Sequence, residues 1–197
     1  MSPLPRFRRL PPERREAILR VARRHFAEQG PEGASYNRII EAAGFSKTAA
    51  YQYFDGRDDL LATVLDDVLE RLLGVLGPWT PAPDPAAFRA ALEAGTRSLS
   101  AHLREHPDDL ALAEAAAARP AGAAWAGWFD ALITDGQRLG VVRTDVDRAL
   151  LVATTAAVLR AGDAWTLAAW RAGGEPDTGQ VWELLHGLWG GGAGGAR

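Results

Sequence analysis

Along almost the whole chain, apolar residues recur at three- and four-residue steps, and the runs are broken by glycine and proline rather than by alternating β-branched stretches. That spacing places one apolar stripe on each helix and leaves little that reads as strand, so an all-α fold is predicted. The 197 residues, 47% of them hydrophobic, are enough to bury a core without crosslinks. None is available in any case. The chain has no cysteine, which excludes disulfides, thiolate nucleophiles and cysteine-ligated metal centres.

Punctuation marks the helices. A first one starts near Pro12, since proline suits a helix's first turn, and ends before Gly30-Pro31; Ile18, Ala22 and Phe26 form its buried stripe. A second starts from Ser35 as N-cap and carries Tyr36, Ile39, Ile40 and Ala43 before Gly44 caps it. Ser46 caps a third, which runs to about Phe54. Three helices joined by so short a turn at Gly44-Phe45 must pack the second and third at a steep angle, the geometry of a helix-turn-helix over residues 35–54. A fourth follows Asp55-Gly56, opens on Asp58 and Asp59 where carboxylates suit the helix dipole, and stops at Gly77-Pro78. Beyond the loop-like stretch 78–85, helices are predicted at about 85–105, 107–118, 121–139, 145–172 and 177–189.

The expected organisation is therefore a basic, flexible arm at 1–11, a helix-turn-helix domain at 12–60, a larger helical domain at 61–189, and a flexible glycine-rich tail at 190–197. Charge divides at the same place. Residues 1–60 hold 11 basic and 8 acidic side chains, residues 61–197 hold 11 and 17. The front of the chain is the part suited to a polyanion. No apolar run approaches a membrane span and no apolar signal core opens the chain, so a cytoplasmic protein is expected.

Three strings carry a resemblance: IL-x-x-A-x-x-x-F-x-x-x-G at 18–30, S-x-x-x-I-x-x-AAG-x-S at 35–46 and Y-x-YF-x-x-R-x-x-L at 51–60. In this order and spacing they resemble the tetracycline-repressor (TetR) family of bacterial transcription regulators, from about Arg15 to Leu65. The resemblance implies a homodimer whose last two helices pair as a four-helix bundle, and an effector cavity in the body. It also implies that Tyr51 binds backbone phosphate and that Arg57 acts as a basic phosphate clamp.

The residues support that reading. A helix starting at Ser46 can put its first turn into a major groove, where Lys47, Thr48, Gln52 and Tyr53 are polar enough to meet base edges or phosphates. Ala49 either touches a thymine methyl or allows close approach. The Ser35 hydroxyl at a helix N-terminus suits a phosphate, and Asn37 or Arg38 would reach the adjacent strand. Arg6, Arg8 and Arg9 read equally as a solvated tail or as further DNA contacts. Ala49 and Ala50 depart from the family pattern, in which threonine and leucine are frequent there; bulky Tyr36 and Ile40 are expected to fill that volume.

In the body, Trp125, Trp128, Phe129 and Leu132 form an i, i+3, i+4, i+7 stripe. With Trp79, Phe88 and Leu92 it reads first as core, and by resemblance as the lining of a cavity for a small apolar or amphipathic effector. Leu150, Thr154, Ala157, Val158 and Ala161, with Val181, Trp182, Leu184, Leu185, Leu188 and Trp189, read as the dimer surface or as the closure of the monomer's own core. No acid-base pair, nucleophile constellation or phosphate-cradling loop argues for catalysis. The expected function is a DNA-binding transcriptional regulator, a repressor relieved by a small molecule, with no cofactor and no membrane. The alternative is a metal-dependent helical enzyme or metal sensor built on His102 and His106, four residues apart.

Overall fold

The computed structural model describes residues 3–119 and 122–190. Among these the regular structure is helical: α1 (Pro5–Arg8), α2 (Pro12–Gln29), α3 (Tyr36–Ala42), α4 (Lys47–Tyr53), α5 (Arg57–Leu76), α6 (Pro85–Glu105), α7 (Pro107–Ala117), α8 (Ala123–Arg138), α9 (Arg148–Arg171) and α10 (Gly179–Trp189). The helix starts at Pro12, Pro85 and Pro107 and the stops at Gly44, Gly77 and Gly190 follow the punctuation. The last three glycines have φ of 70°, 68° and 31°, the left-handed region that closes a helix. The tail at 191–197 lies outside the described residues.

The helices sort into two compact units: residues 1–72 with 101–117, and residues 73–100 with 118–197. This differs from a cut at residue 60, because most of α5 and the whole of α7 complete the first unit's core. Ile18, Leu19, Ala22 and Phe26 of α2 pack with Ile39, Phe54, Leu60, Val64 and Val68, and with Leu112 and Ala116 of α7. A charged cluster closes the same unit. Buried Arg23 meets Asp67 at 2.5 Å and Asp109 at 3.4 Å, and Asp109 also takes Arg71 at 3.0 Å and His102 at 2.8 Å. Each charge is matched inside this unit, as burial of ions requires.

Residues 4–10 correct the expectation of a flexible arm. Pro5–Arg8 is one helical turn whose Phe7 is only 3% exposed, stacked on Phe54 at 4.7 Å and against Tyr53 at 6.2 Å. The Leu4 N–H donates to the Tyr53 carbonyl at 2.9 Å. The apolar triplet Leu4, Phe7 and Leu10 gives this turn a face to bury, which outweighs its proline and arginine content.

The second unit packs Phe88 and Leu92 of α6, Phe129, Leu132 and Ile133 of α8, Leu151 and Ala156 of α9, and Leu185 and Trp189 of α10. Two glycines set its close approaches: a Cβ at Gly136 would lie 2.4 Å from Val142, and one at Gly162 would lie 2.7 Å from Val181. Neither position has room for a side chain. Asp135, on α8, pins the segment between α5 and α6. Its Oδ2 accepts the Ala82 N–H at 2.8 Å and the Trp79 indole at 3.1 Å, while Oδ1 takes the Arg138 guanidinium at 2.6 Å. Burial pushes the Asp135 carboxyl up, but these donors more than offset it and hold it below the usual carboxylate range.

Candidate nucleic-acid interface

The turn between α3 and α4 is built by Gly44, whose N–H returns to the Glu41 carbonyl at 3.1 Å, and by Phe45, whose N–H reaches the Ile40 carbonyl. The Phe45 ring packs 5.8 Å from that of Tyr53 and so anchors the turn on α4. Ser46 then caps α4, its hydroxyl oxygen accepting the Ala49 N–H at 3.2 Å. Ala50 is fully buried and Ala49 half-buried. Lys47, Thr48, Tyr51 and Gln52 consequently form the outward side of the helix, as their i, i+4 spacing requires; Tyr51 is 63% exposed.

Asn37 and Arg38 are exposed on α3, and Ser35 precedes it with a hydroxyl that makes no capping bond. The Tyr36 and Tyr51 rings meet edge to face at 6.2 Å and tie α3 to α4. Tyr36 and Ile40 are both packed inward, but the Tyr36 hydroxyl is buried without a hydrogen-bond partner.

Two of the expected residues are used inward. Tyr53 has its ring among Phe7, Phe45 and Phe54 and its carbonyl on Leu4. Arg57 donates from Nε to the Ala34 carbonyl at 2.9 Å, from one terminal nitrogen to the Pro31 carbonyl and from the other to Asp58 at 3.0 Å. Its guanidinium also lies over the Phe26 ring. Arg57 thus fastens the segment between α2 and α3. Its donors satisfy carbonyls at the end of α2 and the approach to α3, a role that no spacing in the sequence discloses.

In the second unit the seven side chains proposed around an effector do come together. Trp79 lies edge-on to Phe88 at 5.3 Å and to Trp128 at 5.7 Å, and Trp125 and Trp128 both meet Phe129, with Leu92 and Leu132 buried in the same cluster. The Trp128 indole donates to the Gly77 carbonyl at 3.1 Å. These rings therefore act as core, and the polar edges of Trp79 and Trp128 are occupied. Asp135, the acceptor for one of them, was not foreseen; a lone aspartate at a core position of an apolar helix was its only signal.

The metal alternative finds no support. His102 gives its Nε2 to Asp109, His106 has its Nδ1 on the His102 carbonyl at 2.8 Å, and the two rings stack at 4.0 Å. Among the described residues no three side chains of the metal-ligating types gather at one point.

A short capped helix set on a helical turn, with polar side chains outward and a fully buried alanine behind, defines a helix-turn-helix protein. Residues 18–64 match the family described as bacterial regulatory proteins, tetR family. The match runs from within α2 through α4 to the first turns of α5.

The HTH-type transcriptional repressor AcnR of Corynebacterium glutamicum is 36% identical over 66 residues, which are 34% of this chain and 35% of that protein. The HTH-type transcriptional repressor Rv1474c of Mycobacterium tuberculosis is 33% identical over 105 residues, 48% of this chain and 54% of that one. The alignments thus span between about a third and about half of these relatives. The fatty acid degradation regulator FadR from Bacillus halodurans shares the fold over 91% of this chain and 99% of its own, with a TM-score of 0.59 and 16% identity. No helix among the described residues is long and apolar enough to cross a membrane.

Proposed function

We propose that this protein is a sequence-specific DNA-binding transcriptional repressor that acts as a homodimer and is relieved by a small apolar or amphipathic molecule. The observation that carries the reading is the outward face of α4: Lys47, Thr48, Tyr51 and Gln52 are exposed on a helix capped by Ser46, within the segment that matches the family. In this account Lys47 and Thr48 meet base edges, Ala49 allows close approach, and Tyr51, Gln52 and the residues at Ser35, Asn37 and Arg38 hold phosphates. Arg57 and Tyr53 position these groups instead of touching DNA. The named function of both curated relatives, transcriptional repression, supports the sign of regulation.

The dimer reading rests on the outer faces of α9 and α10. Leu150, Trp165 and Leu184 are large apolar side chains exposed there, Leu184 at 65%, and the small residues Ala157 and Ala161 lie exposed along α9. Leu185 and Trp189 serve the unit's own core instead, the Trp189 indole donating to the Thr155 hydroxyl at 2.9 Å. Two heads in one dimer would enter successive major grooves of a near-palindromic site. An effector that favours a different separation of the heads would oppose DNA through one coupling free energy. The aromatic cluster of Trp79, Phe88, Leu92, Trp125, Trp128, Phe129 and Leu132 is the place for it, by displacement of packed rings.

The roles divide in a testable way. Tyr51→Phe should weaken binding to every duplex alike, whereas Lys47→Ala with Thr48→Ala should change which sequence is recovered from a random duplex library. Recovery of the same sequence by wild type and the double variant would assign base reading to other residues.

A further inference from the structure

Beside α4 lies an open groove of about 670 Å³ lined by Leu4, Pro5, Arg6, Arg9, Leu10 and Gln52. Three of its lining residues are apolar, and the others bring two guanidinium groups and an amide. We propose that this groove is a second DNA-contacting surface: α1 is a docked element whose Arg6 and Arg9, with Gln52, hold the sugar-phosphate backbone of the duplex that α4 reads. The inference rests on the DNA-binding reading above and adds to it residues 4–10, which lie outside the segment that matches the family.

Three observations converge. First, α1 is fixed, by Phe7 between Phe54 and Tyr53, by the Leu4 N–H on the Tyr53 carbonyl, and by Arg15 donating to the Arg8 carbonyl at 3.2 Å. Its arginines are therefore held in place, which lowers the entropy lost when they bind. Second, Arg6 and Arg9 are exposed and have no carboxylate partner among the described residues, so both charges are available. Third, the groove is continuous with the recognition face, because Gln52 belongs to both: it lines the groove and stands one turn beyond Thr48. A guanidinium matches phosphate with parallel N–H donors, an amide adds another, and the apolar lining of Leu4, Pro5 and Leu10 suits a deoxyribose.

The test uses the full-length protein and the duplex that wild type recovers from a random library. Arg6→Ala with Arg9→Ala removes two exposed side chains that support no packing, so an unchanged melting temperature is expected. Each lost phosphate contact lowers the slope of log affinity against log salt by about 0.9, so the double variant should lose about 1.8 per bound protomer. Its disadvantage against wild type should shrink roughly tenfold per bound protomer, and so on the order of a hundredfold for a dimer, between 50 and 200 mM salt. Phe7→Ala, which keeps both arginines but releases α1, should lose the same slope in samples shown to be folded.

A double variant with wild-type slope and affinity would overturn the proposal. A slope lost in the double variant but fully kept in Phe7→Ala would overturn docking as the device, since a free arm would then suffice. Failure of wild type to recover any preferred duplex is a separate outcome and would overturn the regulator reading itself.

Discussion

Arg138, Arg143 and Arg148 in the second unit each close on an aspartate, Asp135, Asp145 and Asp130 respectively. In the first unit, Arg6, Arg8, Arg9, Arg38 and Lys47 stand exposed with no such partner among the described residues, while Arg23, Arg57 and Arg71 turn inward. These three arginines of the second unit are thus neutralised, whereas those of the first are divided between structure and surface. An arginine beside a carboxylate has little charge left for a distant partner; an unpaired one retains it. The unpaired basic side chains of the first unit named here lie on or beside α1, α3 and α4.

The inward half of this division is the easiest to break. Asp109→Ala would leave Arg23 and Arg71 short of their shared partner in the first unit, at an expected cost of about 3–5 kcal/mol, as for other buried pairs deprived of one member. Chemical denaturation measures it; a loss below about 1 kcal/mol would show that Asp67 alone satisfies Arg23. In the second unit Asp135→Ala removes the acceptor of the Ala82 N–H, the Trp79 indole and Arg138, and should cost about 2–3 kcal/mol. A red shift of tryptophan emission should accompany it as Trp79 loses its anchor. An unshifted spectrum would mean that ring packing alone holds the segment.

A smaller effect tests the packing behind the recognition helix. Ala50→Leu adds volume at a fully buried site and should destabilise by about 1–3 kcal/mol. A gain in stability would reveal a void that Tyr36 and Ile40 do not fill. The smallest change is Tyr36→Phe, which removes a buried hydroxyl without a partner and should stabilise by up to about 1 kcal/mol.

That gain should widen in alkali. Burial, reinforced by Tyr51, Asp59 and Asp55, pushes the Tyr36 phenol up from 10.0 to about 12. The folded state therefore keeps this group neutral while the unfolded chain ionises it. Its contribution is complete below pH 10.0 and is lost as pH rises through about 12. Phenylalanine escapes that loss, so denaturation midpoints of the two proteins should diverge above pH 10.0 and run parallel below it.

Helix positions were legible because proline and glycine act locally: Pro12, Pro85 and Pro107 open helices, and Gly44 and Gly77 close them. The exposed side of α4 was legible for the same reason, since Ser46 fixes its start and the period of the helix does the rest. What escaped was long-range. The carbonyls that hold Arg57 lie 23 and 26 residues away, and Asp109 meets Arg71 across 38. A spacing rule sees neither. The docking of α1 escaped for another reason: Leu4, Phe7 and Leu10 span too few turns to separate a packed helix from a charged tail without the rings of Tyr53 and Phe54 in place.

The central claim is that the free basic and polar face of the first unit reads a DNA sequence. It is tested most directly by competing the duplex recovered by wild type against random DNA at physiological salt. A single preferred sequence, bound at least about 10³-fold more tightly than the competitor, is the expected result. Equal affinity for all duplexes would contradict it.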